Sequence, residues 1–135
     1  MRLTEKELLE LAIKAADFAY VPYSKFRVGA ALDCSGGTVF TGCNVENSSY
    51  GATNCAERTA IFKAVSEGHR DFVRIAVYCA DGKPEDYSMP CGICRQVMAE
   101  FCNSDFKILI VTDQENYYEY TLGELLPKAF NLKEG

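Results

Sequence analysis

The chain has 135 residues, 48% of them hydrophobic, which is enough to bury one core and too few for two. Its formal net charge of -5 excludes the broad basic face that phosphate binding requires, and no apolar run approaches the ~20 residues that span a bilayer. Seven cysteines, an odd number with no secretory leader ahead of them, point to free or metal-bound thiols in a reducing compartment, the cytoplasm.

Thr4 with Glu7 three residues on has the spacing of a capping box, and Leu8, Leu11, Ile13, Ala15, Phe18 and Ala19 recur mostly at helical intervals, so a first helix is expected to run to about Tyr20. Pro22 stops it. Residues 26–32 read as a strand interrupted by Gly29, a mark of close backbone approach, and the Gly36-Gly37 pair turns the chain into a returning strand over 38–43. A polar loop over 44–53 follows, rich in hydrogen-bonding side chains and a natural substrate wall because it runs straight into Cys55.

A second helix is expected from Asn54, with Cys55 in its first turn, closing near Gly68. Residues 73–80 are a strand, 81–89 a polar loop, and Pro90 opens a third helix from Cys91 towards Phe101. Strands over 106–112 and 116–121 and a short helix around 122–126 complete the pattern. Strands alternating with helices imply a single domain over residues 1–135, an α/β fold with helices on both faces of a sheet.

Two motifs carry chemistry: Cys55-Ala56-Glu57-Arg58 and Pro90-Cys91-Gly92-Ile93-Cys94. A catalytic zinc takes three protein ligands and keeps a fourth position open for water, so Cys55, Cys91 and Cys94 with Glu57 as base make a minimal hydrolytic set. Three thiolates and one divalent cation sum to a negative centre, so a positive charge is needed close by. Arg58 is expected to supply it by hydrogen bonding to the ligand sulfurs. Taken alone, Cys91 and Cys94 also suit a redox pair or half of a structural zinc knuckle. A structural site needs a fourth ligand, for which Cys43, Cys79, Cys102 and His69 are the soft candidates. Arg95 is either a second charge partner for the thiolates or a surface helix residue. Phe26 reads as a core residue when judged by itself, and Asn44 and Glu46 as turn caps.

These motifs, with residues 20–31, 42–47, 55–60, 90–96 and 125–130, resemble the small single-domain cytidine deaminases over nearly the whole chain. The resemblance implies a three-layer α/β/α fold with a mixed five-stranded sheet, one Zn2+ per chain and a homotetramer. It makes Cys55, Cys91 and Cys94 the metal ligands and Glu57 the proton shuttle. It also assigns Asn44 and Glu46 to the ribose 3'-hydroxyl, Phe26 to the base, and Ala56 to the substrate-binding set. Tyr50 and Phe130 would approach a neighbouring subunit's site.

The implied reaction is hydrolytic deamination of cytidine and deoxycytidine in pyrimidine salvage, with attack at C4, Glu57 protonating N3 and then delivering a proton to the leaving amine. A neutral nucleoside, with no nucleic acid and no membrane, is the expected partner. Two other readings stand beside it: a deaminase acting on an aminopyrimidine antibiotic nucleoside or on a base within nucleic acid, and a noncatalytic zinc module.

Overall fold

The computed structural model describes residues 3–81 and 89–132. Helix α1 spans Glu5–Ala15, and its capping box is in place: the Thr4 hydroxyl accepts from the Glu7 N–H at 3.2 Å, and the Glu7 carboxylate accepts from the Thr4 N–H at 3.0 Å. Leu8, Leu9, Ala12 and Ala15 form its buried face. The helix does not continue to Tyr20 as the periodicity predicts. It tightens into a 3-10 turn over Ala16–Phe18, and Phe18 is 80% exposed. The cause is a competing set of backbone bonds: the Tyr20 N–H donates to the Asn44 carbonyl at 3.0 Å, and the Tyr20 carbonyl accepts from Glu46 at 2.9 Å. Pairing with the distant loop pulls the chain out of the helix.

Strand β1 is Val28–Cys34 and β2 is Val39–Cys43, joined by a turn in which Gly36 and Gly37 both take a φ of 90°. The first strand thus starts two residues later than expected, because Phe26 and Arg27 bond to other partners described below. Helix α2 follows at Ala56–Ser66, with Gly68 at φ 92° just beyond it. Next come β3 at Phe72–Cys79, α3 at Gly92–Phe101, β4 at Lys107–Val111, β5 at Tyr117–Thr121 and the short α4 at Leu122–Leu125.

The sheet order is β2-β1-β3-β4-β5. Only β3 and β4 run parallel; the other neighbouring strands are antiparallel, so the sheet is mixed and five-stranded, as expected. Alternation splits the core in two. Ala30, Leu32, Ile75, Val77, Ile108 and Ile110 face one side with Ile61 of α2 and Met98 of α3. Ala31, Ala76, Leu109 and Val111 face the other, against Leu8, Leu9 and Ala12 of α1. This is the three-layer α/β/α arrangement.

Two glycines set how closely the helices sit on the hairpin. A Cβ on Gly29 would run into the Ala12 carbonyl and the Ala16 nitrogen of the first helical segment. A Cβ on Gly42 would lie 2.5 Å from the Ala60 nitrogen and 2.7 Å from the Ala56 carbonyl. The backbone of α2 therefore rests directly on β2, which fixes where its N-terminus ends up.

Candidate active site

The N-terminus of α2 is set by its surroundings. Asn54 is held extended by a reciprocal pair of backbone bonds with Val45, both 2.9 Å, so the helix cannot begin there. Cys55 is consequently the cap residue, with extended backbone (φ -75°, ψ 156°), and not part of the first turn as predicted. Its side chain makes no capping bond, which leaves the sulfur available. Thr59 locks this corner: its hydroxyl accepts from the Asn54 amide and donates to the Cys55 carbonyl, each at 3.1 Å.

The second motif is built the same way. Cys91 caps α3 without a side-chain capping bond, and Cys94 lies in the first turn. Arg95 donates to the Pro90 carbonyl and to the Leu125 carbonyl at the end of α4, both at 2.7 Å. It is therefore a structural tie between α3 and the C-terminal segment, and its bonds run to carbonyls instead of to the thiols.

The two helix starts bring three sulfurs together. The Cys55 and Cys91 sulfurs are 3.7 Å apart, those of Cys91 and Cys94 3.5 Å, and all three lie within 4.8 Å of one another. A tetrahedral zinc with Zn–S bonds of about 2.3 Å places its sulfur ligands about 3.8 Å apart, so the trio matches that ion in both donor type and spacing. Among the described residues no fourth ligand joins them. The four soft candidates do other things or lie elsewhere: His69 packs edge-on against Phe40 at 5.1 Å, and the Cys79 thiol donates to the Asp81 carbonyl at 3.2 Å.

Charge is arranged around the sulfurs as anticipated. The Arg58 guanidinium donates to the Cys55 sulfur at 3.3 Å. Hydrogen bonding from Cys94, followed by that from Arg58 and its positive charge, pulls the Cys55 thiol down to about 5. The same coupling pushes Cys94 upward, through its bond to Cys55, burial and the Glu57 charge. One thiolate thus retains the proton on its neighbour. A divalent cation is what allows all three to ionise together.

Glu57 is 4% exposed in the first turn of α2, between Ala56 and Arg58. Burial, reinforced by the negative charge of Cys55, raises its carboxyl to about 7. A carboxyl poised near neutrality can give and take a proton with little penalty in either direction.

On the substrate side, the loop after β2 folds back over residues 23–28. The Asn44 side chain bridges this segment, accepting from the Val28 N–H at 2.9 Å and donating to the Phe26 carbonyl at 2.8 Å. One oxygen of Glu46 accepts from the Tyr23 and Ser24 N–H groups at 3.0 and 3.1 Å, and hydrogen bonding from the Ser24 side chain, followed by these backbone donors, holds its carboxylate below the ordinary range. Phe26 remains 37% exposed, so it is not the core residue that its strand pattern alone suggests. Tyr50, 79% exposed, meets Tyr23 edge-on at 6.3 Å and lines with it, Ser24, Glu46 and Thr53 an open hollow of about 410 Å³. Ala56 is fully buried as the first residue of α2, between Cys55 and Glu57. Phe130 is 66% exposed and its carbonyl accepts from Gln96 of α3 at 2.8 Å.

A family model for the cytidine and deoxycytidylate deaminase zinc-binding region matches residues 3–110. The chain belongs to the cytidine deaminase family. It is 54% identical over 127 residues to the cytidine deaminase of Halalkalibacterium halodurans, covering 94% of both chains. To the cytidine deaminase of Sporosarcina psychrophila it is 49% identical, covering 96% of this chain and 93% of the relative. The crystal structure of cytidine deaminase from Burkholderia pseudomallei superposes with a TM-score of 0.87 at 46% identity, over 95% of this chain and all of that one.

For a cytidine deaminase the thiol trio is the group that fits the zinc named by the family model. The sequence reading anticipated the trio and Arg58. It missed Thr59 and Asn54, which fix the cap geometry, and the Tyr23 and Ser24 N–H groups that orient Glu46. The one signal for the first pair was a threonine four residues after a capping position, a spacing that a hydroxyl can use to reach back to a carbonyl.

Proposed function

We propose that the chain is a single-domain cytidine deaminase that hydrolyses cytidine and deoxycytidine to uridine and deoxyuridine with release of ammonia. Its place is pyrimidine salvage in the cytoplasm, as a homotetramer with one Zn2+ per chain. The observation that carries this reading is the convergence of Cys55, Cys91 and Cys94 within 4.8 Å, beside a buried glutamate near neutrality.

Zinc, when bound by Cys55, Cys91 and Cys94, supplies Lewis acidity and brings the pKa of water from about 15.7 to about 7. The chain's own residues do the rest. Glu57 protonates N3 of the pyrimidine as C4 becomes tetrahedral, takes up the proton released by the attacking water and passes it to the leaving amine. Arg58 offsets the negative charge that three thiolates bring, keeping the metal electrophilic. Asn44 and Glu46 read the ribose 3'-hydroxyl as a donor and acceptor pair two residues apart. Glu46 suits this because its Tyr23 and Ser24 bonds engage one oxygen and leave the carboxylate ionised. Phe26 packs on the base, Ala56 contributes its backbone at the start of α2, and Tyr50 and Phe130 close a neighbour's site.

The test measures zinc content alongside loss of cytidine absorbance, with cytosine and CMP as competing substrates and Glu57→Gln as control. One zinc per chain with turnover of the nucleoside alone supports the assignment. Glu57→Gln is expected to keep the metal and lose about 10²- to 10⁴-fold or more in kcat. Zinc binding without turnover of any of the three substrates would favour the noncatalytic module.

A further inference from the structure

Arg27 and Asp81, 54 residues apart in sequence, are joined by more bonds than a surface ion pair needs. The Asp81 carboxylate accepts from the Arg27 backbone N–H at 2.9 Å, from its Nε at 2.9 Å and from its Nη2 at 3.0 Å. The Arg27 carbonyl in turn accepts from the Ala80 N–H at 2.8 Å. Both side chains are partly exposed, at 44% and 31%, and an ordinary pair at that exposure contributes little. This pair differs because the fork is bidentate and the carboxylate also takes a main-chain donor, so it fixes backbone as well as side chain.

What it fixes is the residue next to Phe26. On the opposite edge of the same short segment, Asn44 holds the Phe26 carbonyl and the Val28 N–H. The segment 26–28 precedes and begins β1, and its backbone is gripped alternately: residues 26 and 28 from the Asn44 side, residue 27 from the end of β3. The Asn44 grip continues the β1–β2 hairpin, whereas the Asp81 grip comes from outside it. Asp81 reaches Arg27, the neighbour of Phe26, from just past the end of β3, so the backbone that carries the ring is held in part by a contact made across the sheet.

We infer that Asp81, acting through Arg27, is a positioning residue that sets the Phe26 ring against the substrate base and so governs substrate affinity. The inference rests on the proposed nucleoside deaminase reading. The clamp touches neither the sulfurs nor Glu57, so its loss weakens binding without slowing the chemical step. A ring displaced by a fraction of its contact distance loses stacking with the base while the metal and the acid remain in place.

The experiment combines steady-state kinetics on the zinc-loaded enzyme with calorimetric binding of uridine, which does not turn over. Asp81→Ala is compared with wild type, Phe26→Ala and the double variant. Asp81→Ala is expected to raise both KM for cytidine and Kd for uridine by about tenfold, with kcat held within about twofold. In the Phe26→Ala background the same change is expected to have almost no further effect, because the two act as one unit. Arg27→Lys, which loses the fork but keeps the backbone bond to Asp81, should fall between. Additive effects in the double variant, or a fall in kcat at unchanged KM, would overturn the positioning role. If Asp81→Ala fails to retain zinc, Arg27→Lys and Arg27→Ala carry the same cycle with Phe26→Ala. A wild-type enzyme that binds neither cytidine nor uridine overturns the functional reading and this inference with it, whereas normal wild-type binding with an unaffected Asp81→Ala variant overturns the inference alone.

Discussion

Seven cysteines in one small chain divide into two chemical groups by environment. Cys34 and Cys102 are held up at about 11 and about 12, by burial in both cases and additionally by the Asp33 charge for Cys34. Cys55 is drawn down to about 5, and Cys91 is exposed. Thiolate fraction and access decide alkylation rate. Iodoacetamide mapping by mass spectrometry should therefore find the metal-loaded protein slow to react. After a chelator removes the metal, Cys55 and Cys91 are expected to label first, with Cys34 and Cys102 protected until the protein unfolds. Early labelling of Cys102 would contradict this ordering. At this scale much was legible in the sequence, since each motif is contiguous and ligand type and spacing are local properties. The position of Cys55 was misjudged by one residue because the bond pair that holds Asn54 extended comes from Val45, nine residues earlier and in no helical or strand pattern.

Elements place these residues, and the tightest constraint among them is Gly42. A Cβ there meets the Ala56 carbonyl, the Ala60 nitrogen and the Thr59 Cβ at the start of α2, directly after the capping Cys55, and none of these is the far end of a flexible side chain that could move aside. Gly42→Ala should cost about 1–3 kcal/mol by overpacking, and it should do so by lifting the start of α2. Denaturant unfolding reads the first effect. Competition with a chromogenic zinc chelator reads the second, and weaker metal retention than in a surface control of equal stability is expected. Stability lost with zinc affinity unchanged would show that the helix shifts as a rigid body, carrying the site with it. The reading of Gly29 as a close-approach glycine came from a break in an apolar run, and Gly42 gave no such signal because it sits where a strand ends in small residues. Strand and helix order were legible from hydrophobic period alone. Their ends were not: Phe26, Arg27 and Tyr20 leave their expected elements to bond with Asn44, Glu46 and Asp81, partners 18 to 54 residues away.

At the scale of the whole molecule, the proposed site is open on the side where the sugar would lie. The hollow beside Glu46 is lined by Tyr50, whose ring is largely exposed; the Phe130 ring and the aliphatic side chains of Ile93 of α3 and Leu132 are also largely exposed. Exposed apolar side chains of that size mark surface that partners cover. In the proposed homotetramer the partner is another copy, and each copy lends Phe130 and Tyr50 to a neighbour's site while keeping its own Glu57. That division of labour has a consequence that a self-contained subunit does not share. Glu57→Gln and Phe130→Ala are each expected to be nearly inactive when pure, one lacking the proton carrier and the other the neighbour's wall. Mixed oligomers, formed by co-expression and isolated through different tags, would contain sites with an intact Glu57 from one chain and an intact Phe130 from the other. Activity should return to a quarter or so of wild type if each site draws on two chains at random. If both residues serve the same chain, every site in the mixture retains one defect and activity stays at the level of the pure variants. Light scattering at the assay concentration fixes the number of chains, and a fully active monomer would remove the need for any neighbour.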